Sequence, residues 1–508
     1  MVMLNILVGG RAGQGINKVS EIISNVLIKY GYYVFNYRDY PSIIRGGHNF
    51  NVLSISDKLI GSHESKVDFV LALDKNTVDV HKNDLKKGGA VITSDEFSKF
   101  GLNANVALSA ALIKILGIDK KVLFDEVKKE IKDSGSLDAA EAGYNSQTIK
   151  FNLKKLNNNA KILDGNTAVA VGARNSKIDI YFSYPMTPTT NCLQELASNQ
   201  IEDNLLAFQP EGEISAVNMA LGASFAGAKV MVGTSGGGFD LMVEALSLQG
   251  MSEIPLVVYL GSRGGPSTGL PTYTMQGDLD DALRAGHGEF PRIVIAPGSP
   301  AECIEKTNEA FYLSEKFGAL SIVLSDKHLA ESEFSYDSKI NTPLKVQVKR
   351  NVPGEKGFVA KASSYEHDEY GLSTEDAKIT KENADNRMKK YSEIQKECKK
   401  FEMIKIHGKK DSKNLIIGWG STKGAILDAI EGQDYKFLQV LYMKPLSDEI
   451  KKEMLKAKKI ILVENNLTGQ LGKIIREKTG LKIENRILKY DGRPFTSDEL
   501  KEKLEEIK

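Results

Sequence analysis

Short apolar runs recur through the middle of this chain, and each is separated from the next by enough residues for a helix. The runs cover residues 180–182, 230–232, 256–260, 293–295 and 320–324, and helical stretches such as 213–227 and 239–250 lie between them. Parallel strands need long crossover connections, usually helices, and strands buried on both faces are apolar throughout. The alternation therefore predicts an α/β domain with a parallel sheet covered on both faces.

The same pattern begins and ends the chain. Further apolar runs lie at residues 4–8, 69–73, 89–92, 414–418 and 458–463. Three asparagines at 157–159 indicate a linker, and the chain is polar and rich in charge from about 335 to 400. We expect three doubly wound α/β domains, at 1–155, 160–335 and 406–508, with an extended polar connection at 336–405.

A glycine-rich loop, Gly9-Gly-Arg-Ala-Gly-Gln-Gly15, follows the first apolar run and precedes an amphipathic stretch. A helix N-terminus in this position could receive an anion. The spacing is neither Gly-x-Gly-x-x-Gly nor that of a P-loop, and a tight turn explains the glycines about as well.

Composition excludes several classes of function. The 508 residues contain 67 Lys and Arg against 66 Asp and Glu, so the net charge of +1 predicts neither a nucleic-acid surface nor a membrane surface. Cys192, Cys303 and Cys398 are too few and too scattered for a zinc site or for a four-cysteine iron–sulfur cluster held by this chain alone. No apolar run reaches the ~20 residues that span a bilayer, so we expect a cytoplasmic protein.

Glu213 opens a stretch of small and apolar residues that continues to Gly227 with a single Asn. Such a stretch predicts a helix buried nearly all round. Helical steps from Glu213 reach Ala216, Val217, Ala220 and Ser224, a slim strip against which another backbone or a flat ligand could press. Glu211 cannot share that face, and it is better suited to capping the helix; taken alone, capping would explain either acid.

Four segments rich in Gly, Pro, Ser and Thr follow apolar runs of the middle domain. They cover residues 165–168, 184–190, 234–239 after the Glu213 helix, and 263–278. Because the carboxyl ends of parallel strands meet at one edge, these segments should gather where α/β proteins bind ligands.

At this point the chain resembles the 2-oxoacid:ferredoxin oxidoreductases, in the form whose γ domain is fused ahead of the α subunit. The glycine loop at 9–15 and Ile44-Arg-Gly-Gly-His-Asn49 are similar to the γ domain. Tyr184-Pro-Met-Thr-Pro188 resembles the family's Tyr-Pro-Ile-Thr-Pro motif. The other similar segments are Arg263-Gly-Gly-Pro-Ser-Thr-Gly-Leu-Pro-Thr272, His287-Gly-Glu-Phe-Pro-Arg292 and Glu366-His-Asp-Glu-Tyr-Gly371. The resemblance covers essentially the whole chain and implies a pyrimidine-binding middle domain and a transketolase C-terminal-like third domain.

The resemblance implies that thiamine diphosphate sits between two chains. This chain would bind the aminopyrimidine, with Glu213 activating the cofactor through its ring nitrogen and with Tyr184, Pro185 and Phe239 around it. For Phe239, burial in the hydrophobic core is a better explanation than contact with the cofactor. A β subunit would supply the diphosphate site, Mg²⁺ and a [4Fe-4S] cluster, whereas this chain would hold no metal.

The resemblance also implies substrate contacts. Arg263 would bind the carboxylate of a 2-oxoacid through its planar, permanently charged fork. Thr187 and Thr272 would bond around the oxo and carboxylate oxygens, although capping or turn bonds account for threonines equally well. The segment 463–470 would contact the partner or coenzyme A.

The implied reaction is oxidation of a 2-oxoacid to an acyl-CoA and CO₂ with reduction of ferredoxin. The likeness favours 2-oxoglutarate or a broad range of 2-oxoacids, and pyruvate and branched-chain or aryl 2-oxoacids stay open. Two alternatives remain at this stage, namely a subunit of a non-redox thiamine-diphosphate decarboxylase and a non-catalytic interaction subunit.

Overall fold

The structure is a computed structural model that describes residues 3–43, 46–133, 135–345, 352–356 and 360–507. Two residues of the γ-like motif at 44–49, Ile44 and Arg45, lie outside the described residues.

Strands occur in every part of the chain. In chain order they are β1 (Met3–Gly10), β2 (Tyr33–Asp39), β3 (Asn49–Ser56), β4 (Val67–Ala72), β5 (Leu85–Thr93), β6 (Lys161–Asp164), β7 (Ile180–Phe182), β8 (Leu206–Phe208), β9 (Val230–Ser235), β10 (Leu256–Ser262), β11 (Arg292–Ile295), β12 (Leu320–Asp326), β13 (Glu333–Tyr336), β14 (Ile404–Gly408), β15 (Asn414–Trp419), β16 (Lys436–Val440), β17 (Tyr442–Lys444), β18 (Lys459–Glu464) and β19 (Asn485–Leu488).

Helices connect most of these strands. They are α1 (Ile16–Lys29), α2 (Lys75–His81), α3 (Ala104–Ile115), α4 (Lys120–Glu130), α5 (Gly135–Asn145), α6 (Gly165–Asn175), α7 (Thr190–Ser198), α8 (Glu213–Phe225), α9 (Gly236–Leu241), α10 (Val243–Ser252), α11 (Leu279–Arg284), α12 (Pro300–Phe317), α13 (Lys327–Glu331), α14 (Ala377–Cys398), α15 (Thr422–Ala429), α16 (Glu449–Lys456), α17 (Gln470–Thr479) and α18 (Ser497–Glu506), with a 3-10 segment at Ser94–Asn103. No helix of the described chain is long and apolar enough to cross a membrane.

The middle sheet has the order β17-β11-β12-β10-β9-β7-β8. Every pairing within it is parallel except that of β17 with β11. Each residue of β10 and β12 is buried, as strands covered by helices on both faces require. The α/β class and the parallel middle sheet are therefore confirmed.

The first sheet has the order β5-β4-β1-β3-β2-β13-β6. β1 pairs in parallel with β4, and β4 with β5, whereas the pairings that involve β2, β3 and β13 are antiparallel. β6 and β13 flank the middle sheet in sequence but complete the first sheet in space. The first sheet is thus built from strands of both the first and the middle part of the chain.

The third sheet, β14-β16-β15-β18-β19, is also linked to the middle one, because β17 lies between β16 and β18 in sequence but pairs with β11 of the middle sheet. One hydrophobic cluster accordingly contains Val258 of β10 together with Ile417 and Trp419 of β15. The connection expected to be extended contains the 22-residue helix α14, which begins at the capping residue Asp376. Only Ile394, Glu397 and Cys398 of α14 are buried, so the polar sequence carries no apolar periodicity from which the helix could be predicted.

Candidate active site

Loops that follow β7, β8, β9 and β10 converge at the carboxyl edge of the middle sheet. These four strands are neighbours in the order β10-β9-β7-β8, so their ends lie side by side. Asn166 holds one of the loops in place, because its side chain donates to the Pro188 carbonyl (2.9 Å) and accepts from the Tyr259 hydroxyl (3.0 Å). Three of the four predicted segments therefore lie at this edge, whereas 165–168 follows β6 of the first sheet and reaches the edge through the Asn166 side chain.

Glu213 is the first residue of α8 and is buried, with 6% of its surface exposed. The buried face of α8 contains Glu213, Ala216, Val217, Ala220, Leu221 and Ser224, which includes the whole predicted strip. Within the described part of the chain, Oε1 of Glu213 has no hydrogen-bond partner. A buried carboxylate oxygen without a donor is costly, so it indicates a place for a ligand.

Three glycines, Gly236 to Gly238, begin α9 directly after β9, and the last of them lies against this carboxyl. A Cβ at Gly238 would lie 2.7 Å from Glu213 Oε1 and would also collide with the Thr234 hydroxyl. A Cβ at Gly237 would meet no atom within 4 Å, because this position is open to the surface. The triple-glycine turn thus allows backbone to approach Glu213 more closely than any other residue type would permit.

Arg263 follows β10 and is partly buried. Its Nη1 donates to the Thr187 carbonyl over 2.9 Å, which ties the loop after β7 to the loop after β10. Burial lowers the pKa of Arg263, while the charges of Asp278 and Glu213 act in the opposite direction. The structure therefore brings Glu213, Arg263 and Thr187 together.

Asp278 is a further acid of this site. A Cβ at Gly236 would lie 2.7 and 2.8 Å from its two carboxylate oxygens, so the carboxyl rests on the triple-glycine turn. Its Oδ2 is buried. Burial raises the pKa of Asp278 to about 6. A hydrogen bond with Ser262 and the charge of Arg263 act against this rise, whereas the carboxylates of Asp281 and Asp240 act with it.

The remaining predicted residues occupy different environments. Tyr184 is 39% exposed, and Pro185 beside it is half-buried. Phe239 is fully buried in the hydrophobic core, as expected from its residue type. Thr272 is buried, and its hydroxyl donates to the Tyr40 carbonyl (2.7 Å), so that hydroxyl is bonded to the first domain. Contact of Phe239 or Thr272 with a ligand stays a prediction.

Comparison with known proteins agrees with this geometry. A family model described as pyruvate flavodoxin/ferredoxin oxidoreductase, thiamine diP-bdg, matches residues 171–403, and one described as pyruvate ferredoxin/flavodoxin oxidoreductase matches residues 5–131. The chain is 32% identical to a 2-oxoacid:ferredoxin oxidoreductase subunit alpha from Sulfolobus sp, over 99% of this chain and 96% of that one. It is 31% identical to the subunit of the same name from Saccharolobus solfataricus, over 99% and 97%.

The chain belongs to the 2-oxoacid:ferredoxin oxidoreductase family, as an alpha subunit. Its fold also matches the 2-oxoglutarate:ferredoxin oxidoreductase from Magnetococcus marinus, whose structure contains 2-oxoglutarate, coenzyme A and succinyl-CoA. That match has a TM-score of 0.91 and 26% identity, and it covers 100% of this chain and 99% of the other.

Two expectations about the α8 region of this oxidoreductase subunit were wrong. Helix α8 is not buried all round, because Ile214 and Met219 are 58% and 41% exposed. Glu211 does not cap the helix either: Gly212 occupies the N-cap position, and the exposed Glu211 accepts a hydrogen bond from the Ser215 hydroxyl. A helix with one free apolar face has the same composition as a fully buried one, so the sequence could not separate them.

The 463–470 segment of the oxidoreductase subunit contacts its own chain. The amide of Asn465 donates to Gln276 Oε1 (2.8 Å), Asn466 Nδ2 to the Gln276 carbonyl (3.2 Å), and Gln470 Nε2 to the Gly277 carbonyl (2.8 Å). The third domain therefore fixes the loop that carries Asp278. The sequence pointed to Gln276-Gly-Asp278 as an unusual segment, but only the fold shows that it is a junction.

Proposed function

We propose that this chain is the cofactor-activating half of a coenzyme A-dependent 2-oxoacid:ferredoxin oxidoreductase that acts on 2-oxoglutarate or on several 2-oxoacids. The observation that carries the proposal is the buried Glu213 carboxyl, whose Oε1 has no partner in the described chain, at an edge that it shares with Arg263. The 2-oxoglutarate and coenzyme A bound in the Magnetococcus marinus enzyme support this substrate class and co-substrate.

The residues present fit the aminopyrimidine end of thiamine diphosphate. Glu213 offers an acceptor oxygen, the triple-glycine turn leaves room above it, and Gly237 is open to the surface. Tyr184 and Pro185 border the same edge, while the buried Phe239 supports the turn from below. When bound, the cofactor supplies the nucleophilic carbon that makes decarboxylation of a 2-oxoacid possible.

The protein's own residues then have distinct tasks. Glu213 holds and transfers a proton at Oε1. Its burial at the start of α8 keeps water away from this oxygen. Arg263 binds the substrate carboxylate with the donors that it does not give to Thr187. Thr187 and Thr272 complete the polar wall around the oxo and carboxylate oxygens.

A partner chain completes the site. Exposed apolar side chains lie around it, on β8, on α8 and α9, and after β10: Leu206, Phe208, Ile214, Met219, Leu241 and Leu270. Apolar patches of this kind mark protein interfaces.

We assign the diphosphate site, Mg²⁺ and a [4Fe-4S] cluster to this β subunit, because Cys192, Cys303 and Cys398 are buried and scattered here. The complex passes electrons to ferredoxin in the cytoplasm and needs neither nucleic acid nor membrane.

The test compares Glu213→Ala with Glu211→Ala in the complex reconstituted with its β subunit. Glu211 is a matched control because it is two residues away, exposed, and hydrogen-bonded by the Ser215 hydroxyl. We expect Glu213→Ala to lose at least about 100-fold in 2-oxoacid-dependent viologen reduction, the usual contribution of a general acid–base group, and Glu211→Ala to keep its rate. Retention of most activity in Glu213→Ala would contradict the assignment, and CO₂ release without dye reduction in the unaltered complex would favour a non-redox decarboxylase.

A further inference from the structure

The segment 287–292 has no task in the reaction at the carboxyl edge of the middle sheet, and its last residue is a buried cation. Arg292 begins β11 and is only 3% exposed. Its guanidinium lies over the Phe290 ring, 4.5 Å from Cζ to the ring centroid, and Nη1 makes a weak contact with the Ala282 carbonyl at 3.5 Å. Nε is buried without a hydrogen-bond partner among the described residues. Burial lowers the pKa of Arg292 to about 10, and no acid of the described chain acts against this shift.

A second cation lies beside Arg292. Lys444 of β17 is half-buried and pairs directly with Val294 of β11 in an antiparallel ladder. Directly paired residues project from the same face of a sheet, and so do residues two apart on one strand, so Lys444 and Arg292 are diagonal neighbours on one face. Burial lowers the pKa of Lys444 to about 8, and the charges of Arg292 and Arg284 act in the same direction. The acid that acts on Lys444 is Glu477, which is already paired with Arg284 (2.7 Å).

This arrangement lacks a counter-charge. Charges that are taken out of water persist at low cost only where an opposite charge or a hydrogen-bonding group compensates them, and two like charges side by side increase the cost. Neither Arg292 nor Lys444 has such an acid of its own in the described chain. The pair therefore indicates a place for an anion.

A cavity of about 310 Å³ opens beside Lys444 where α11 of the middle domain meets α14, β17 and α17. This volume lies near the lower end for small-molecule sites, roughly 300–1,000 Å³. Among the described residues that line it, Arg284, Lys444 and Lys478 are cations and Glu477 is the acid. Lys478 also approaches Asp448 at 3.7 Å. The wall thus carries an excess of positive charge, and Arg292 adds to it through Lys444.

The rest of the wall is largely apolar. Met443 of β17 and Ile474 of α17 are buried side chains that line the cavity, and Tyr391 contributes an aromatic ring from α14. Two uncompensated cations match a doubly charged group, and a phosphate monoester carries a charge of about −1.5 to −2 at pH 7. The apolar wall is suited to the organic group of such an ester.

We propose that this cavity binds a phosphate monoester, with the phosphate against Lys444 and the organic group against the apolar wall. The site is separate from the 2-oxoacid site, because Arg292 lies at the amino end of β11 whereas Glu213 and Arg263 lie at the carboxyl edge of the sheet. About the length of a strand, roughly 15–20 Å, lies between the two edges. The proposal does not depend on the function proposed for Glu213.

The experiment measures the binding of phenyl phosphate by titration calorimetry. It uses the complex reconstituted with its β subunit and saturated with thiamine diphosphate and coenzyme A, so that the phosphate sites of these ligands are filled. We expect one phenyl phosphate per chain, with a Kd of roughly 0.1–1 mM for a ligand of about ten heavy atoms. Benzoate has a single negative charge and inorganic phosphate has no organic group, so each should bind at least about tenfold more weakly.

Two variants identify the cation responsible. Lys444→Met keeps an apolar stem but removes the charge, so it should bind phenyl phosphate at least about tenfold more weakly. Without ligand its Tm should be unchanged or higher, because a repulsive charge is gone, and its viologen reduction should stay within twofold. Lys396→Met is the matched control, because Lys396 is an exposed residue of α14 that does not line the cavity, and it should keep the normal affinity.

Several results would overturn the proposal. Absence of phenyl phosphate binding, or equal affinity in Lys444→Met, would exclude the cavity as the site. Equal affinity for benzoate would exclude a doubly charged ligand, and equal affinity for inorganic phosphate would exclude a role for the apolar wall. A lower Tm of ligand-free Lys444→Met would show that Lys444 already has a counter-charge within the complex, which contradicts the reason for placing an anion there.

Discussion

Replacing Gly238 by alanine should misplace the Glu213 carboxyl without removing it. The new Cβ would lie 2.7 Å from Oε1 and 2.8 Å from Cγ of Glu213, whereas an ordinary contact begins near 3.4 Å. The carboxyl must therefore move by roughly 0.7 Å, or the turn must open by that amount. The Cβ also meets the Thr234 hydroxyl, so it cannot avoid Glu213 by moving toward Thr234.

The effect on catalysis follows from this displacement. Misplacement by about 1 Å can cost about 100-fold in rate, so we expect kcat to fall by roughly 10- to 100-fold, which equals about 1.4 to 2.7 kcal/mol in the barrier. Overpacking should also lower the stability of the complex by about 1–3 kcal/mol. The assay is 2-oxoacid-dependent reduction of a viologen dye, alongside thermal unfolding of the same preparation.

A matched control separates misplacement from a general effect of Gly-to-Ala exchange. Gly222 lies later on α8, and a Cβ there meets no atom within 4 Å. Gly222→Ala should keep its activity and gain up to about 1 kcal/mol in stability from the better helix former. A folded Gly238→Ala enzyme within twofold of the normal kcat, or an equal loss in Gly222→Ala, would refute the reasoning.

Three further predictions concern the surroundings of the site. Arg263→Lys keeps the charge but loses the fork that reaches Thr187, so KM for the 2-oxoacid should rise about 10- to 100-fold; unchanged KM and kcat would contradict carboxylate binding. Asn466→Ala removes the hydrogen bond from the third domain to the Gln276 carbonyl and the one to Glu464 within that domain, so urea unfolding should show a loss of about 2–3 kcal/mol in stability and KM should rise; unchanged stability together with unchanged KM would exclude the third domain as the support of the site. Asp428 accepts bonds from the Gly61 amide (3.1 Å) and the Ser62 hydroxyl (2.6 Å), and burial raises its pKa to about 7. Since the unfolded chain loses this proton near pH 4, the stability of the folded protein falls as pH rises from about 4 to 7. Asp428→Asn should therefore raise Tm more at pH 8 than at pH 5. An equal Tm change at both pH values would contradict a raised pKa of Asp428 in the folded protein.

Much of the architecture could be predicted from the sequence because short-range patterns encode it. The apolar runs at 256–260 and 320–324 became β10 and β12, and 213–227 became α8, since burial on both faces of a sheet and helical spacing both leave a signature in neighbouring residues. Strands β2, β3, β6 and β13 had weaker signatures. Their partners come from distant parts of the chain, and the pairing of β13 with β2 joins residues about 300 positions apart.

The candidate site likewise has features that the sequence predicted and features that only the fold shows. Glu213, its strip of small residues and the glycine-rich loops were visible in the sequence, because a helix start, a close backbone approach and a sheet edge each demand particular residue types. The sequence did not show that Asp278 rests on Gly236, that Thr272 bonds to Tyr40, or that α8 keeps an apolar face free. These features depend on which surfaces meet after folding, and such contacts between distant segments are decided only by tertiary packing.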